Sequence, residues 1–450
     1  MSSTNLKDYI GRRDFAEPLK FKGQQLFFED SSIQKLAETL GTRVYILSLN
    51  QLKRNAKRLK SAFKNYPRFK PSYALAANSL PKIVQTLVNL DFGIVVVNLY
   101  ELKYALLQLK DIPHIICNGA SKHRIQNQQK ESLIQRVMNL QKENDITVNF
   151  NSIQEIEYTK KLCEKEKTEL KVGLSLNLTS HFQGSELSPG LERFGIPIEK
   201  LPVAIKLLKN SKIKLTAIQS HIGTQITELN KHIKNANLTS SYAIKIEKEL
   251  GTTIENINLG GGIALKYYKT PQKQKNLNPD YTIEEYAQNV TKEINKIYQE
   301  NGANPPTLIT ETGRWLTANT MMLILKVTEI RKTPQTKYEW IITDGSALTD
   351  TNDAVWIGQY FEIINATKAH QKPTKLYNIA GTTCDTNDAF AWQKNNTGPR
   401  KLPKTETGDI LTILDIGAYQ PPLRNNFNQL PKTPIYTTKG EPIKEPNLQQ

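Results

Sequence analysis

Cysteine is scarce in this sequence, and its spacing argues against two kinds of site. The 450 residues include three cysteines, Cys117, Cys163 and Cys384, and no Cys-x-x-Cys pair. This spacing predicts neither a disulfide framework nor a structural zinc site. The six histidines are scattered, without a His-x-His or His-x-x-x-His pair, so we expect no metal centre.

Long apolar runs are missing as well. No stretch reaches the roughly 20 apolar residues that a membrane-spanning helix needs, which argues against a membrane protein. Residues 1–13 are polar, carry charges of both signs and lack the apolar core of a secretory signal. The composition, 38% hydrophobic and 23% charged, is typical of a globular chain. We therefore expect a cytoplasmic protein.

The chain is basic, with a formal net charge of +17 from 60 lysines and arginines against 43 acidic residues. The lysines are spread along the whole length and mixed with glutamate, as in residues 160–167, which is typical of solvated helix faces. The sequence has no arginine-rich tract and no known nucleic-acid-binding motif, so we expect no nucleic-acid partner. An anionic small ligand agrees better with this charge.

Strands and amphipathic helices alternate through residues 43–312. After a first strand that starts near Phe69, the apolar strand candidates are Gly93 to Val97, His114 to Cys117, Thr147 to Phe150, Val172 to Leu176, Leu215 to Ser220, Ile257 to Leu259 and Thr307 to Thr310. Short buried strands that alternate with helices favour a parallel sheet. About eight such units over this length predict an α/β fold built on a (β/α)8 TIM-like barrel.

The pattern changes after the predicted barrel. Residues 313–437 contain β-branched and aromatic segments separated by Gly, Asn, Asp and Pro, which predicts a C-terminal antiparallel β domain, a sandwich or barrel. Residues 1–42 are predicted to be an N-terminal segment that joins this β domain and contains a helix from Ser32 to Leu40 with a serine cap. Residues 438–450 are predicted to be a polar tail.

Five motifs place glycines and polar residues near the ends of predicted strands. Glycines let backbone N–H groups approach a phosphate closely, and arginine binds phosphate through its fork of donors. Taken singly, each motif has a simpler alternative: a buried strand end, a histidine without a ligand, a tight turn, a surface ion pair or a buried cysteine. The motifs are Tyr73-Ala74-Leu75-Ala76-Ala77-Asn78, Ser220-His221-Ile222-Gly223-Thr224-Gln225, Leu259-Gly260-Gly261-Gly262-Ile263, Glu311-Thr312-Gly313-Arg314, and the pair Gly381 to Asp388 with Gly417-Ala418-Tyr419.

Together, in this order and spacing, the motifs resemble those of the fold-type III pyridoxal-phosphate decarboxylases, which act on diaminopimelate, ornithine and arginine. The resemblance covers residues 25–430. It implies the barrel and β domain of the alanine racemase/ornithine decarboxylase fold, pyridoxal 5'-phosphate as cofactor, and a small amino-acid substrate of lysine or polyamine biosynthesis. It also implies a homodimer with shared active sites.

The resemblance also implies roles for single residues. In the family, a lysine in the first motif holds the cofactor as a Schiff base, but Ala76 occupies this position here, and a methyl group cannot form an imine. Any bound cofactor is therefore expected to be held non-covalently. His221 would stack on the cofactor ring and Glu311 would pair with the ring nitrogen. The residues implied to bind the phosphate are Thr224, Gly260, Gly261, Gly262, Gly313, Arg314 and Tyr419.

Two further residues of the implied site come from the second subunit of the dimer. The resemblance implies that Cys384 donates a proton after carbon dioxide leaves, and that Asp385 recognises the distal amine of the substrate. Diaminopimelate decarboxylases also carry an arginine that binds the distal carboxylate, but the matching stretch, Asp344 to Asn352, contains none. The sequence therefore disfavours diaminopimelate and favours a substrate with a distal cation.

Two more charged positions of the family are neutral in this chain. Val95 replaces an aspartate and Ser175 replaces an arginine, and in the family both charged residues surround the lysine. A buried charge that loses its partner costs several kcal/mol, so the loss of one charge favours the loss of the others. Three linked changes therefore favour natural divergence over an engineered lysine-to-alanine substitution.

Two functions follow from this pattern. The first is a pyridoxal-phosphate-dependent amino-acid decarboxylase, a carbon–carbon lyase, whose activity is weak, altered or absent because the lysine is missing. The second is a catalytically inactive homologue that binds the cofactor or another ligand, or that regulates a catalytic relative as its dimer partner. The neutral residues around position 76 favour the second function, whereas the retained phosphate, ring and proton-donor residues favour the first.

Overall fold

The computed structural model describes residues 18–125, 130–182, 190–266, 278–394 and 397–445. The predictions for residues 1–17 and for residues 446–450 of the polar tail lie outside the described residues. The first described elements are β1 (Leu19–Lys22), β2 (Gln25–Phe28), β3 (Ser31–Ser32), α1 (Ile33–Leu40) and β4 (Val44–Leu47). Strands β1 to β3 form a small antiparallel sheet. Ser32 caps α1, as its sequence predicts, because its side chain accepts a hydrogen bond from the N–H of Lys35.

Eight parallel strands close into a barrel in the order β5-β6-β7-β8-β9-β11-β12-β13. The strands of this sheet are β5 (Phe69–Ala74), β6 (Gly93–Val96), β7 (Ile115–Cys117), β8 (Ile146–Phe150), β9 (Leu170–Asn177), the short β10 (Ile196–Pro197) beside β9, β11 (Ile213–Ser220), β12 (Asn256–Asn258) and β13 (Thr307–Thr312). Pairing of β13 with β5 closes the ring, with Leu308 opposite Phe69. The predicted (β/α)8 barrel is confirmed.

Amphipathic helices cover the outside of the barrel. They are α2 (Leu49–Ala62), α3 (Pro81–Val88), α4 (Leu99–Gln108), α5 (Leu133–Leu140), α6 (Ile153–Lys165), α7 (Leu201–Leu208), α8 (Leu229–Leu250) and α9 (Ile283–Glu300). Helix α9 illustrates how the sequence sets a helix start: Thr282 and Glu285 form a capping box, each side chain bonding the backbone N–H of the other residue. With helices outside, every residue of β6 and β7 is buried, as expected for parallel strands.

The second domain is built around the long strand β14. Its elements are α10 (Arg314–Thr317), β14 (Met321–Arg331), β15 (Glu339–Thr343), α11 (Ala347–Asp350), α12 (Asn352–Trp356), β16 (Ile363–Asn365), β17 (Lys375–Ala380), β18 (Ala389–Ala391), β19 (Arg400–Leu402), β20 (Ile410–Ile413), α13 (Gln420–Leu423) and β21 (Ile435–Thr437). Most strand pairs are antiparallel, but β15 with β17 and β21 with β4 are parallel. The predicted C-terminal β domain is confirmed, with a mixed rather than purely antiparallel sheet.

Strand β4 belongs to this second sheet. It pairs antiparallel with β14 and parallel with β21, so Val44 to Leu47 lie outside the barrel. The sequence pattern instead predicts that the N-terminal segment ends at residue 42 and that this strand belongs to the barrel. All four of its residues are buried. A short continuous apolar run fits either sheet, so its pattern alone does not identify the neighbouring strands.

The second domain contacts the barrel at the first of the five motifs. The side-chain amide of Asn78 donates a 2.8 Å hydrogen bond to the backbone oxygen of Gly417. The backbone N–H of Tyr419 donates to the oxygen of Ala77 at 2.7 Å. These bonds bring the Gly417-Ala418-Tyr419 motif to the C-terminal ends of the barrel strands.

Candidate functional site

A cavity of about 300 Å³ lies at the C-terminal ends of the barrel strands. Each of the eight strands, or the turn directly after it, supplies a lining residue, and the second domain adds Tyr419. Active sites of (β/α)8 barrels occupy this position. From β5 onward, one lining residue per strand is Ala76, Val95, Asn118, Asn151, Ser175, His221, Gly261 and Glu311.

Gly261 and Gly262 of the motif after β12 form one wall of the cavity, the glycine wall, whereas Gly260 is buried behind it and is not a lining residue. Gly260 and Gly262 have φ angles of +65° and +100°, a region that residues with a Cβ rarely adopt. At Gly261, a Cβ would lie only 2.7 Å from the backbone oxygen of Glu311. Glycine is therefore required at all three positions, and it leaves the backbone of this wall accessible to a ligand.

Gly313, Arg314 and Tyr419 lie on the same side of the cavity. A Cβ on Gly313 would come within 2.9 Å of the Cβ of Ala77, so close packing excludes a side chain there. The buried Arg314 guanidinium lies 4.8 Å from the centre of the Tyr419 ring, a cation–π contact. Burial raises the pKa of Tyr419, although Arg314 acts in the opposite direction, so the phenol stays a hydrogen-bond donor at neutral pH. This combination of donors suits a phosphate.

Glu311 is a buried carboxyl at the end of β13. The amide of Asn118 donates to both carboxyl oxygens, at 2.8 and 2.9 Å, and the amide of Asn258 donates at 2.7 Å. Burial raises the pKa of Glu311, whereas the hydrogen bonds from Asn118 and Asn258 favour the ionised form. A carboxylate enclosed in this way can pair with a protonated ring nitrogen of a ligand.

His221 follows β11 and faces Gly261. The ring is open to the cavity but enclosed by protein on its other sides, and this desolvation lowers its pKa to about 4. The backbone N–H of Gly261 donates to Nδ1 at 3.2 Å, which places the proton of the neutral ring on Nε2. At neutral pH, His221 therefore presents an uncharged flat ring. Such a ring can stack on an aromatic ligand.

The part of the cavity lined by Ala76, Val95 and Ser175 carries no charge. Ala76 follows β5 in a single 3₁₀ turn, Leu75–Ala77, and its methyl group is exposed to the cavity. Val95 packs with Ile116 and Ile309 inside the barrel, and Ser175 lies nearby in β9. Among the described residues that line the cavity, Arg314 is the only cation, and no lysine is present.

Cys384 and Asp385 are not among the residues that line this cavity. They lie in the loop between β17 and β18, where the exposed Cys384 sulfur is 3.5 Å from the side-chain oxygen of Asn428. Asp388 holds this loop: its buried carboxylate accepts the N–H of Ala347 at 2.6 Å and that of Thr383 at 2.9 Å. One chain therefore does not bring Cys384 or Asp385 to its own cavity.

Three residues that shape these sites, Asn118, Asn258 and Asp388, have no role predicted from the sequence. Asn118 and Asn258 stand at the ends of β7 and β12. A polar residue at the C-terminal end of an apolar barrel strand is the signal that indicates them, because such ends converge on one site. Asp388 lies inside the Gly381 to Asp388 motif, but only tertiary contacts reveal its structural role.

Comparison with known proteins identifies the family. The family described as "Pyridoxal-dependent decarboxylase, pyridoxal binding domain" matches residues 49–318. The chain belongs to this family. It is 29% identical over 443 residues to the diaminopimelate decarboxylase of Methanocaldococcus jannaschii, covering 94% of this chain and 93% of that protein. The predicted family resemblance is confirmed, and the family is pyridoxal-phosphate dependent.

Solved structures of this decarboxylase family share the fold. Diaminopimelate decarboxylase from M. jannaschii in complex with L-lysine matches with a TM-score of 0.78 and 28% identity, covering 95% of this chain and 94% of that chain. The biosynthetic arginine decarboxylase of Campylobacter jejuni matches with a TM-score of 0.78 and 20% identity, covering 94% of this chain and 87% of that chain. The likeness to arginine decarboxylase concerns the fold alone.

The residues present in the cavity fit the family's cofactor. The glycine wall with Arg314 and Tyr419 suits its phosphate, Glu311 suits its ring nitrogen, and His221 suits its ring face.

In the described part of the chain, no helix is long and apolar enough to cross a membrane, and no group of three or more His, Cys, Asp or Glu side chains could hold a metal.

We expect acid to destabilise the protein through two buried histidines. Burial lowers the pKa of His114 and of His232 to about 4. Between about pH 6.5 and 4 the unfolded chain binds protons that the folded chain does not, so the free energy of unfolding falls by about 3 kcal/mol per histidine. Glu311 and Asp350 act oppositely, because burial raises the pKa of both carboxyls.

Urea unfolding of the parent protein and the His232→Gln variant at pH 7.5 and 4.5 isolates the histidine contribution. The variant should lose about 2–3 kcal/mol less stability than the parent between these pH values. Equal losses in the two proteins would show that His232 is not held neutral.

Proposed function

We propose that this chain binds pyridoxal phosphate non-covalently in the barrel cavity and is a decarboxylase homologue with far lower carboxy-lyase activity than relatives that have the lysine. The observation that carries the proposal is the cavity wall itself. The methyl group of Ala76 and the side chain of Val95 line part of it, and Glu311, His221 and Arg314 line other parts. Its described lining residues thus combine the groups that suit a phosphate and an aromatic ring with no amine for a covalent bond.

Each retained residue has a definite task in this proposal. Pyridoxal phosphate, when bound, supplies an aromatic ring that accepts the electrons released by the loss of carbon dioxide. Glu311 keeps a proton on the ring nitrogen, and His221 covers one ring face. Arg314, Tyr419, Thr224 and the glycine wall hold the phosphate, which is the main source of affinity because Ala76, Val95 and Ser175 offer no charge.

We expect low activity because this chain has Ala76 where the family has its cofactor-binding lysine. A lysine amine at the cofactor aids substrate exchange and product release, and general acid–base groups of this kind contribute about 10²–10⁴-fold to rates. Ala76 can do neither, and Val95 and Ser175 offer no charge to replace it. The retained Glu311 and Arg314 distinguish this site from a scaffold that has lost all ligand-binding groups.

We further propose that Cys384 and Asp385 of the partner subunit complete the cavity in a homodimer. The loop that carries them contacts Asn428, next to Phe427, and Phe427 is exposed. Other large apolar side chains of the second domain are exposed as well, Trp356 and Ile357 at the end of α12 and Leu423 in α13. Exposed apolar groups of this kind often mark an interface.

For the substrate we propose an amino acid with a distal amine, recognised by the partner subunit's Asp385. The Methanocaldococcus jannaschii relative is a diaminopimelate decarboxylase, but the stretch Asp344 to Asn352 offers no arginine for a second carboxylate. Arg43 reaches this stretch, yet it pairs with Asp350 at 3.3 Å and with Thr349 at 3.2 Å. Lysine or ornithine therefore fits better than diaminopimelate.

A titration with pyridoxal phosphate tests the proposal. We expect saturable binding that dialysis reverses and no cofactor mass on the chain after borohydride treatment. Arg314→Ala should weaken binding about tenfold or more, because a charge-assisted bond to phosphate contributes about 1.5–3 kcal/mol. Arg58→Ala is the matched control, since Arg58 pairs with Glu284 on the barrel surface. No binding, or borohydride attachment to another lysine, would overturn the proposal.

Activity assays separate the two candidate functions. Release of carbon dioxide from lysine, ornithine or diaminopimelate at a slow but enzyme-dependent rate supports the decarboxylase. The neutral wall at positions 76, 95 and 175 favours the second candidate, an inactive ligand-binding or regulatory partner. Absence of turnover, together with heterodimers on mixing with a catalytic relative, would establish that second candidate instead.

A further inference from the structure

Hydrogen-bonded side chains cross the barrel interior from Asn149 through Asn118 and Glu311 to Asn258, and we call this series the polar column. The amide of Asn149, which is 1% exposed, donates to the side-chain oxygen of Asn118 at 2.8 Å. Asn118 in turn donates to both oxygens of Glu311. On the other side, Asn258 donates to Glu311, and its own oxygen accepts the backbone N–H of Gly260 at 2.9 Å. Neutral amides therefore surround the carboxyl.

The direction of the bonds to Glu311 follows from the neighbours of Asn118 and Asn258. Gly260 sets the orientation of Asn258, because a backbone N–H can only donate. The side-chain oxygen of Asn118 accepts from Asn149, and its amide hydrogens face Glu311. This arrangement suits an ionised Glu311, since every bond from the column supplies a donor. A protonated Glu311 would bring a hydroxyl hydrogen against one of these donors.

Gly173 makes room for the column. It lies inside β9, and a Cβ there would lie 1.8 Å from the side-chain oxygen of Asn149. Glycine in a strand interior weakens the strand and often marks a close approach of another group. Its presence beside Asn149 shows that the backbone of β9 gives space to this side chain.

We propose that Asn118 is a positioning residue that keeps Glu311 ionised and directed at the ring nitrogen of pyridoxal phosphate, with Asn149 fixing the orientation of Asn118. The inference rests on the proposed cofactor binding. Asn118 acts through Glu311, so its effect should depend on the ring nitrogen of the ligand. A residue that merely shaped the cavity would affect any ligand of the same size.

The test compares pyridoxal phosphate with its 1-deaza analogue, in which carbon replaces the ring nitrogen. We expect Asn118→Leu to weaken pyridoxal phosphate binding by about ten- to a hundredfold, the range for a lost bond to a charged group. Affinity for the deaza analogue should stay within about twofold of the parent value, because that analogue makes no bond that Glu311 must support. In ¹⁵N NMR of labelled cofactor, the ring nitrogen should be protonated in the parent protein and lose its proton in the variant.

Two further variants complete the design. Asn118→Asp keeps the shape but replaces the donor by an acceptor, and it gives the same comparison if Asn118→Leu does not fold. Asn365→Leu is the matched control: Asn365 is a buried amide that donates to Asp409 at 2.9 Å in the second domain, and its loss should leave both affinities unchanged. Equal weakening of both ligands by the Asn118 variants would overturn the inference. Failure of the parent protein to bind either ligand would overturn the proposed function, and this inference with it.

Discussion

Lysine introduced at position 76 should capture pyridoxal phosphate covalently yet restore little activity. The Ala76 side chain faces the cavity, so a longer side chain can extend into it without entering the core. The new amine, however, would lie beside Val95 and Ser175, which provide no charge. Without a carboxylate partner the amine has a lowered pKa, which favours bond formation but leaves the surrounding charge arrangement incomplete.

The triple variant Ala76→Lys/Val95→Asp/Ser175→Arg should exceed Ala76→Lys in carbon dioxide release by about a hundredfold or more, the scale of acid–base contributions to catalysis. Covalent attachment is measured as cofactor mass on the chain after borohydride treatment. Turnover is measured as carbon dioxide release from lysine, ornithine and diaminopimelate. Val97→Lys is the matched control, because Val97 also lines the cavity but follows a different strand, β6.

Two outcomes would contradict this prediction. Full activity from Ala76→Lys alone would mean that Val95 and Ser175 are immaterial, and would favour a recent or engineered loss of the lysine. Equal covalent attachment in Val97→Lys would show that position 76 is not special within the cavity.

The barrel could be predicted because its strands carry the signal themselves. Segments such as Leu215 to Ser220 and Thr307 to Thr310 are short, apolar and followed by helical patterns. These local features favour a parallel sheet, because the helices that connect its strands cover the face of the sheet. The position of the cavity could be predicted from the same strand pattern. His221, Gly261 and Glu311 stand where strands end, and strand ends of one barrel converge.

Other features depend on contacts that no local pattern contains. Strand β4 has four buried apolar residues, which fit the barrel as well as the second sheet, and only pairing with β14 decides between them. The polar column from Asn149 to Glu311 joins strands that are distant in sequence. Gly173 carries the one local hint, a glycine inside an apolar strand, but the sequence does not reveal which side chain approaches it.

Breaking the buried ion pair behind the site should have the largest effect on stability. Lys122 and Glu155 are both inaccessible to solvent, with 3.0 Å between Nζ and the carboxylate. Glu155 also accepts the N–H groups of Lys122 and Asn151, at 2.9 and 2.7 Å, and Lys122 bonds the backbone oxygen of Gly119. Glu155→Gln leaves the lysine charge buried without its counter-charge, which costs about 3–5 kcal/mol.

A double-mutant cycle measures this interaction. We expect Lys122→Met/Glu155→Gln to be more stable than Glu155→Gln by about 2 kcal/mol, because the double variant removes the uncompensated charge. Glu169→Gln is the control, since Glu169 and Lys214 form a 2.5 Å pair in which both side chains are more than half exposed, and exposed pairs contribute about 0–1 kcal/mol. Free energies of unfolding come from urea titrations at pH 7.5.

The same cycle separates stability from cofactor binding. The pair fixes Gly119, which lines the cavity next to Asn118, so Glu155→Gln should weaken pyridoxal phosphate binding as well as folding. The double variant, in contrast, should regain stability but not affinity, because Lys122→Met removes the bond to the Gly119 oxygen. If affinity returned together with stability, the ion pair would support the fold alone, and the position of Asn118 would be set by its bonds to Asn149 and Glu311.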